Sequence, residues 1–366
     1  MINLPPNIAL YLTFIVSFVI SYLSIPSIVR VARNKKLLDT PSHRRSHIRQ
    51  VPTLGGVAIF AGFTMATGSF ISHAILPSLQ YILVACIIIF FIGIKDDIQA
   101  ISPHKKLLGQ ILASLVLIIL GDINFTNLHG FLGIYQISAI PSLFLTLFVT
   151  IAIINSLNLV DGIDGLASSI GIVTTLFFGV WFYISGNIEC CIISIATLGS
   201  LLGFFRFNLS NGQYKIFMGD TGSMLIGLLL VIQVIMFNEK NADFVFAFPV
   251  KSAPAVSFAV LIIPLYDTIR VFIIRMSRGR SPFIADKNHL HHCLLKLGFN
   301  HIQSTFIIVF VNICFIAFAL LLQHLDIGIF LLGLLIMTIA TSLSLSLEFL
   351  VKKNGNNNEK RKNGNL

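Results

Sequence analysis

Residues 137–157 read ISAIPSLFLTLFVTIAIINSL, residues 158–165 read NLVDGIDG, and residues 166–185 read LASSIGIVTTLFFGVWFYIS. Each flanking run has the length of about 20 residues that a helix needs to cross the hydrocarbon layer of a bilayer. An aspartate at the centre of such a helix costs about 2.5–3.5 kcal/mol on insertion scales. Asp161 and Asp164 therefore belong at the boundary between two spans, facing a wet cavity, where ionisable groups default to a functional reading. Gly162 and Gly165 permit a tight turn and close backbone approach there.

The same alternation of apolar run and short polar cluster extends in both directions. Candidate spans lie at 8–30, 53–72, 78–94, 106–121, 137–157, 166–185, 188–205, 222–237, 255–275, 304–322 and 327–350. The fold expected is an all-α polytopic membrane protein of about eleven transmembrane helices. Residues 1–350 form one transmembrane catalytic domain, and 351–366 a basic, disordered tail. Composition agrees: of 366 residues, 55% are hydrophobic and 11% charged, against about 25% charged in soluble domains. The apolar first 30 residues lack a basic leader and a small-residue cleavage site, so they read as a retained helix. The five cysteines form no C-x-x-C pair and read as reduced, structural residues.

Arg30 and Arg270 lie within spans, Lys106 and Arg275 at span ends that border odd-numbered connections, and Lys240 and Lys251 in even-numbered connections. Every other lysine and arginine falls in an odd-numbered connection or the tail. This asymmetry puts the odd connections and the C-terminus in the cytoplasm and the N-terminus outside. It also accounts for the net charge of +10 without nucleic acid as a partner.

The odd connections carry the unusual residues. They read Asp39-Thr-Pro-Ser-His-Arg-Arg-Ser-His47 with Pro52-Thr-Leu-Gly-Gly56, then Asp96-Asp97 with Lys106, Asn155-Ser-Leu-Asn158-Leu-Val-Asp161-Gly-Ile-Asp164-Gly165, Phe217-Met-Gly-Asp220-Thr-Gly-Ser223, and Asp286-Lys-Asn-His289-Leu-His291-His292. Five polar clusters on one side of a membrane suggest one composite site. The adjacent carboxylates Asp96 and Asp97 suit a hard cation such as Mg²⁺ that keeps water and substrate phosphate as its other ligands. Asp220-Thr-Gly-Ser opens a span, where free N–H groups favour a phosphate. Capping alone is the lesser, rival explanation of Asp164, Asp220 or Thr221 as single residues. Histidines at i, i+2 and i+3 do not share one helix face, so a zinc site is disfavoured, and a hydrogen-bonding role toward phosphate fits better. Asp267, Arg270 and Arg275, in the ninth span, read as pairing with one another for structure.

In order and spacing these clusters resemble the polyprenyl-phosphate N-acetylhexosamine-1-phosphate transferases: D-x-P-x-x-R-[KR]-x-H with P-x-x-G-G, D-D with a lysine, N-x-x-N-x-x-D-G-x-D-G-L, F-M-G-D-T-G-S and D-x-x-H-x-H-H, from Asp39 to His292. The run Ser281-Pro-Phe-Ile-Ala-Asp-Lys-Asn-His-Leu-His-His292 is similar to the bacterial branch using UDP-N-acetylglucosamine. The phospho-MurNAc-pentapeptide branch usually has P-[IV]-H-H-H there. Two departures stand out: Leu209-Ser-Asn-Gly-Gln213 replaces a proline-containing stretch, and Arg45 stands where lysine is common.

The resemblance implies a bacterial inner-membrane enzyme with a cytoplasmic site. It would transfer N-acetylhexosamine-1-phosphate, GlcNAc-1-phosphate foremost, from a UDP-sugar to undecaprenyl phosphate, release UMP and start a lipid-linked envelope glycan. Both reacting groups are anionic, so catalysis is chiefly charge neutralisation and alignment. The residues implied are Asp96, Asp97, Asp161 and Asp164 in catalysis and Asp220 with Asp97 as ligands of Mg²⁺, with Mn²⁺ the alternative ion. Arg45, His47 and Lys106 would hold lipid phosphate, Asn158 with Asp161 and Asp164 would position the nucleotide or metal, Asn155 would bind substrate, and His289, His291 and His292 would hold the diphosphate or sugar. The rival readings are the MurNAc-pentapeptide branch and, in another class, a transporter, which would place its charges along a path across the spans. A homodimer is left open.

Overall fold

A computed structural model describes residues 5–38, 50–71, 76–242, 248–279, 288–325 and 327–363, with side chains to residue 355. Helix covers each of the eleven apolar stretches. In chain order they are α1 (Pro6–Asn34), α2 (Gly55–Phe70), α3 (Leu79–Ile98), α4 (Pro103–Leu115) with a π-helical turn at Val116–Leu120, α5 (Ala139–Val160), α6 (Leu166–Ile184), α7 (Ile188–Asn208), α8 (Gly219–Asn241), α9 (Ala253–Val260) followed by α10 (Ile262–Ser277), α12 (His301–Leu322) and α13 (Ile329–Asn363). A short α11 (Leu290–Lys296) precedes α12. Among the described residues, eight helices are long and apolar enough to cross a membrane, or nine if the bent pair α9–α10 is one span. The expected eleven is narrowed accordingly: α2 has only 16 residues, and α3 ends in the charged triplet Lys95-Asp96-Asp97. Helix α13 runs through Asn363, so the backbone of the tail expected to be disordered is helical to that residue.

Helix α8 is the post around which the bundle is built. Phe237 and Leu225 to Ile232 are almost wholly buried, as expected of a helix apolar on every side. Outer faces of the peripheral helices expose Ile15, Phe148, Phe306 and Phe310, the surface a bilayer covers once backbone groups are satisfied inside helices. Small residues let α1 close on its neighbours: Ser21 Oγ donates to the Ser200 carbonyl at 2.8 Å, and a Cβ on Gly203 would stand 2.8 Å from the Phe18 carbonyl.

The 77° bend between α9 and α10 has a local cause. Pro264 has no N–H to offer the Val260 carbonyl four residues back. Asn312 of α12 takes that acceptor, donating Nδ2 to Val260 O at 3.1 Å. The connection before α5 forms a hairpin, β1 (Asn127–Phe131) antiparallel to β2 (Ile134–Gln136) with Phe131 opposite Ile134, which the sequence pattern did not announce. The cysteines are unpaired, all but Cys314 buried.

Candidate active site

The stretch Phe217–Ser223 begins α8, and its glycines are there for contact between backbones. Gly219 has φ +73°, and a Cβ on it would lie 1.9 Å from the Thr53 carbonyl. A Cβ on Gly56 would lie 2.2 Å from Gly222 N, and one on Gly93 would lie 2.4 Å from the Thr221 Cα. The chain entering α2 is stitched to the chain entering α8: Phe217 N donates to Pro52 O at 2.8 Å, Gly55 N to Phe217 O at 3.0 Å and Gly56 N to Met218 O at 2.9 Å. The motif Pro52-Thr-Leu-Gly-Gly56 thus holds the start of α8 in place.

Asp97, at the end of α3, caps that start from a neighbouring helix. Its Oδ1 accepts from Asp220 N at 2.7 Å, and its Oδ2 accepts from Thr221 N at 3.0 Å and from Thr221 Oγ1. A carboxylate is well suited to the unpaired N–H groups and positive end of a helix. Both of its oxygens are engaged in fixing the first turn of α8.

The adjacent Asp96 faces elsewhere. Its Oδ1 accepts from Ile101 N at 2.8 Å, and its Oδ2 lies 3.0 Å from Lys106 Nζ. Lys106, on the first turn of α4, also reaches Asp220 Oδ1 at 2.8 Å and Asn158 Oδ1 at 3.4 Å. Asn158, on the last turn of α5, donates to Asp220 Oδ1 and to Ser223 Oγ at 2.8 Å. Four helix ends therefore deliver Asp96, Lys106, Asn158 and Asp220 to one point. Asn155, one turn earlier on α5, faces Gln110 of α4 instead: its Nδ2 donates to Gln110 Oε1 at 2.7 Å, with the reverse bond at 3.3 Å.

Asp161 ends α5, one turn beyond Asn158. Asp164 sits in the α5–α6 turn beside Lys215 Nζ at 2.8 Å and His301 Nδ1 at 3.4 Å. That turn is anchored by Asn208, whose Oδ1 accepts from Gly165 N at 2.8 Å. The histidine motif abuts the turn: a Cβ on Gly162 would fall 2.5 Å from His291 Nε2. His289 and His291 stack with parallel rings at 5.7 Å, and His291 and His292 rings meet at 4.2 Å. Burial, reinforced by the neighbouring His292, pushes the His291 imidazole down to about 3, so it is neutral. Its Nε2 is buried without a hydrogen-bond partner among the described residues. Arg45 and His47 lie outside the described residues.

Among the described residues no three His, Cys, Asp or Glu side chains converge as a ready metal set. What converges is a pair of carboxylates, Asp96 and Asp220, on a single cation, the Lys106 ammonium. A hard divalent ion that takes few protein carboxylates and completes its shell with water and phosphate fits that donor set. Sequence reasoning missed Gln110, Lys215 and His301, which support the site. Gln110 was recoverable, because it lies four residues after Lys106 and so on the same face of α4.

The chain is similar to known proteins over most of its length. The profile of glycosyl transferase family 4 matches residues 79–238, from the start of α3 almost to the end of α8. The undecaprenyl-phosphate alpha-N-acetylglucosaminyl 1-phosphate transferase of Escherichia coli (strain K12) is 30% identical over 278 residues, 75% of this chain and 73% of that protein. The decaprenyl-phosphate N-acetylglucosaminephosphotransferase of Mycolicibacterium smegmatis is 34% identical over 300 residues, 73% and 71% of the two chains. Its namesake from Mycobacterium tuberculosis (strain H37Rv) is 32% identical over 327 residues, 82% and 79%. With that identity spread over most of both chains, and with the family profile spanning Asp96, Lys106 and Asp220, the protein belongs to glycosyl transferase family 4 and is a phosphosugar transferase.

Proposed function

We propose that this protein transfers N-acetylglucosamine-1-phosphate from UDP-N-acetylglucosamine to undecaprenyl phosphate, releasing UMP, with Mg²⁺ as cofactor. The observation that carries the reading is the meeting of Asp96, Lys106, Asn158 and Asp220 at the start of α8. The relatives' names supply the substrate class. The skew of lysine and arginine toward the odd connections supports a site at the cytoplasmic face of a bacterial inner membrane, with the N-terminus outside.

In the reaction a lipid phosphate oxygen attacks the sugar-bearing phosphorus of the UDP-sugar. The new P–O bond forms as the bond to the bridging oxygen breaks, and UMP leaves with that oxygen and its electron pair. The sugar C1–O bond is untouched. No general base is required, because a phosphate monoester's second pKa is about 6. The obstacle is repulsion between two anions, which fixed positive charge in a water-poor site removes. Lys106 is held between Asp96 and Asp220, so its ammonium is fixed before substrate arrives. Asp96 and Asp220 would hold Mg²⁺, which when bound supplies the further positive charge that the transferring phosphoryl group needs. Asn158 orients Asp220, and Asp97 orients the whole first turn of α8. The histidines beside the α5–α6 turn would contact diphosphate or sugar.

The test is transfer by purified protein with Mg²⁺, undecaprenyl phosphate and a panel of radiolabelled UDP-sugars. Lipid-linked GlcNAc and stoichiometric UMP are expected, and Asp220→Ala should lower turnover by at least about 10³-fold while the protein still inserts and folds. Failure to label lipid from any UDP-sugar, or normal turnover by Asp220→Ala, would overturn the assignment.

A further inference from the structure

Asp267 of α10 is 1% exposed, inside a bundle where a buried carboxylate is costly. An ion pair with Arg270 one turn along, Arg270 Nη2 to Asp267 Oδ1 at 3.1 Å, would be enough if the pair served packing alone. Asp267 does more. Its Oδ2 lies 2.9 Å from His289 Nδ1, and its Oδ1 also accepts from Leu290 N at 3.1 Å. One carboxylate thus grips the ring that opens the histidine motif and the first backbone N–H of α11. Arg270 completes the clamp by donating to the Asn288 carbonyl and, through Nη1, to Glu348 Oε1 of α13 at 2.5 Å. Buried ion pairs are poor sources of stability, and apolar residues usually serve as well. A carboxylate that fixes an imidazole's ring orientation and tautomer through Nδ1 is a different device, because it decides which nitrogen carries the proton at the far edge.

We infer that Asp267 is the positioning residue of the histidine motif. Through His289 Nδ1 and Leu290 N it sets the stacked rings of His289 and His291 against the α5–α6 turn, and Arg270 and Glu348 tie that arrangement to the C-terminal helix. The inference rests on the proposed function, since the motif it aligns is the one assigned there to diphosphate or sugar. Asp267 need not touch substrate. Nor do Arg270 and Glu348, and the three act on the reaction only by holding α11.

The experiment is a double-mutant cycle on the full-length protein with Asp267→Asn and His289→Gln. Asparagine turns an amide N–H or a lone acceptor toward a ring that needs a carboxylate. Each single variant should raise KM for UDP-N-acetylglucosamine by about 10-fold, and the double variant should stay within about 3-fold of His289→Gln alone, because the two act as one unit. KM for undecaprenyl phosphate should not move. In protein labelled with ¹⁵N-histidine, Asp267→Asn should shift the Nδ1 resonance of one histidine. Multiplicative losses in the double variant, or a lowered melting temperature with KM unchanged, would overturn the inference. Where Asp267→Asn does not fold, Glu348→Gln, which cuts the outer link at a one-third exposed carboxylate, replaces it in the same cycle. If the wild-type protein makes no lipid product, the proposed reaction falls, and the histidine spectrum still decides: no shift in Asp267→Asn ends the positioning role.

Discussion

Asn155 and Asn158 are a single turn apart, and only their surroundings separate them. Asn158 bonds Asp220 and Ser223, whereas Asn155 closes a reciprocal amide pair with the buried Gln110. Asn158→Ala should therefore cut turnover by about 10²-fold with little change in melting temperature, since it removes a group aligned on the reacting centre. Asn155→Ala should do the reverse, costing about 1–3 kcal/mol of stability by leaving Gln110 unpaired while most turnover survives. Parallel activity and thermal-melt measurements on the two variants separate the roles. His291 gives a pH prediction. Its folded value near 3 lies below the ordinary 6.5 of an exposed imidazole, so the unfolded chain binds the proton more tightly. The contribution is whole above about pH 6.5 and shrinks as pH falls toward 3, by up to about 1.4 kcal/mol per unit. Melting temperature in detergent should drop between pH 7 and 5, and His291→Asn should flatten that slope. The placement of Asp96 and Asp220 at helix ends was readable from residue type and position. That Asp97 would turn to cap α8 was not, because adjacent residues on a helix point about 100° apart and sequence does not say which neighbour each will meet.

Among the elements, α9–α10 joins a sequence signal to its structural remedy. Pro264 announces a break, but nothing in the chain announces that Asn312, 52 residues beyond Val260, will receive the freed carbonyl. Asn312→Leu should destabilise the protein by about 1–3 kcal/mol, the cost of a buried acceptor without a donor. Pro264→Ala restores the missing N–H, so the pair Pro264→Ala and Asn312→Leu should melt higher than Asn312→Leu alone. A double variant no better than the single would separate the bend from the proline. Helix boundaries were legible where apolar runs met charge, as at Lys95 and Arg206. The β1–β2 hairpin was not, because its turn relies on Gly130 and Gly133 at φ +84° and +80° inside a segment with no alternating pattern. The continuation of α13 to Asn363 was hidden by a composition of asparagine, lysine and glycine that favours disorder in isolation.

For the whole molecule, the membrane class and the meeting of Asp96, Asn158 and Asp220 followed from hydropathy and charge, because the bilayer penalises misplaced polar groups so heavily. The seating of one cluster against another depends on side-chain directions that no periodicity encodes. Helix α8 stands where three such seatings meet, and at Gly56, Gly93 and Gly222 it touches its neighbours through main chain with no room for a methyl group. A joint of that kind has no greasy filler for detergent to dissolve. Solubilisation should loosen the lipid-bathed periphery first, around Phe148 and Phe306, and leave the carboxylate platform as the last part to come undone. Purified material whose periphery has loosened should then still hold Asp96, Lys106 and Asp220 together.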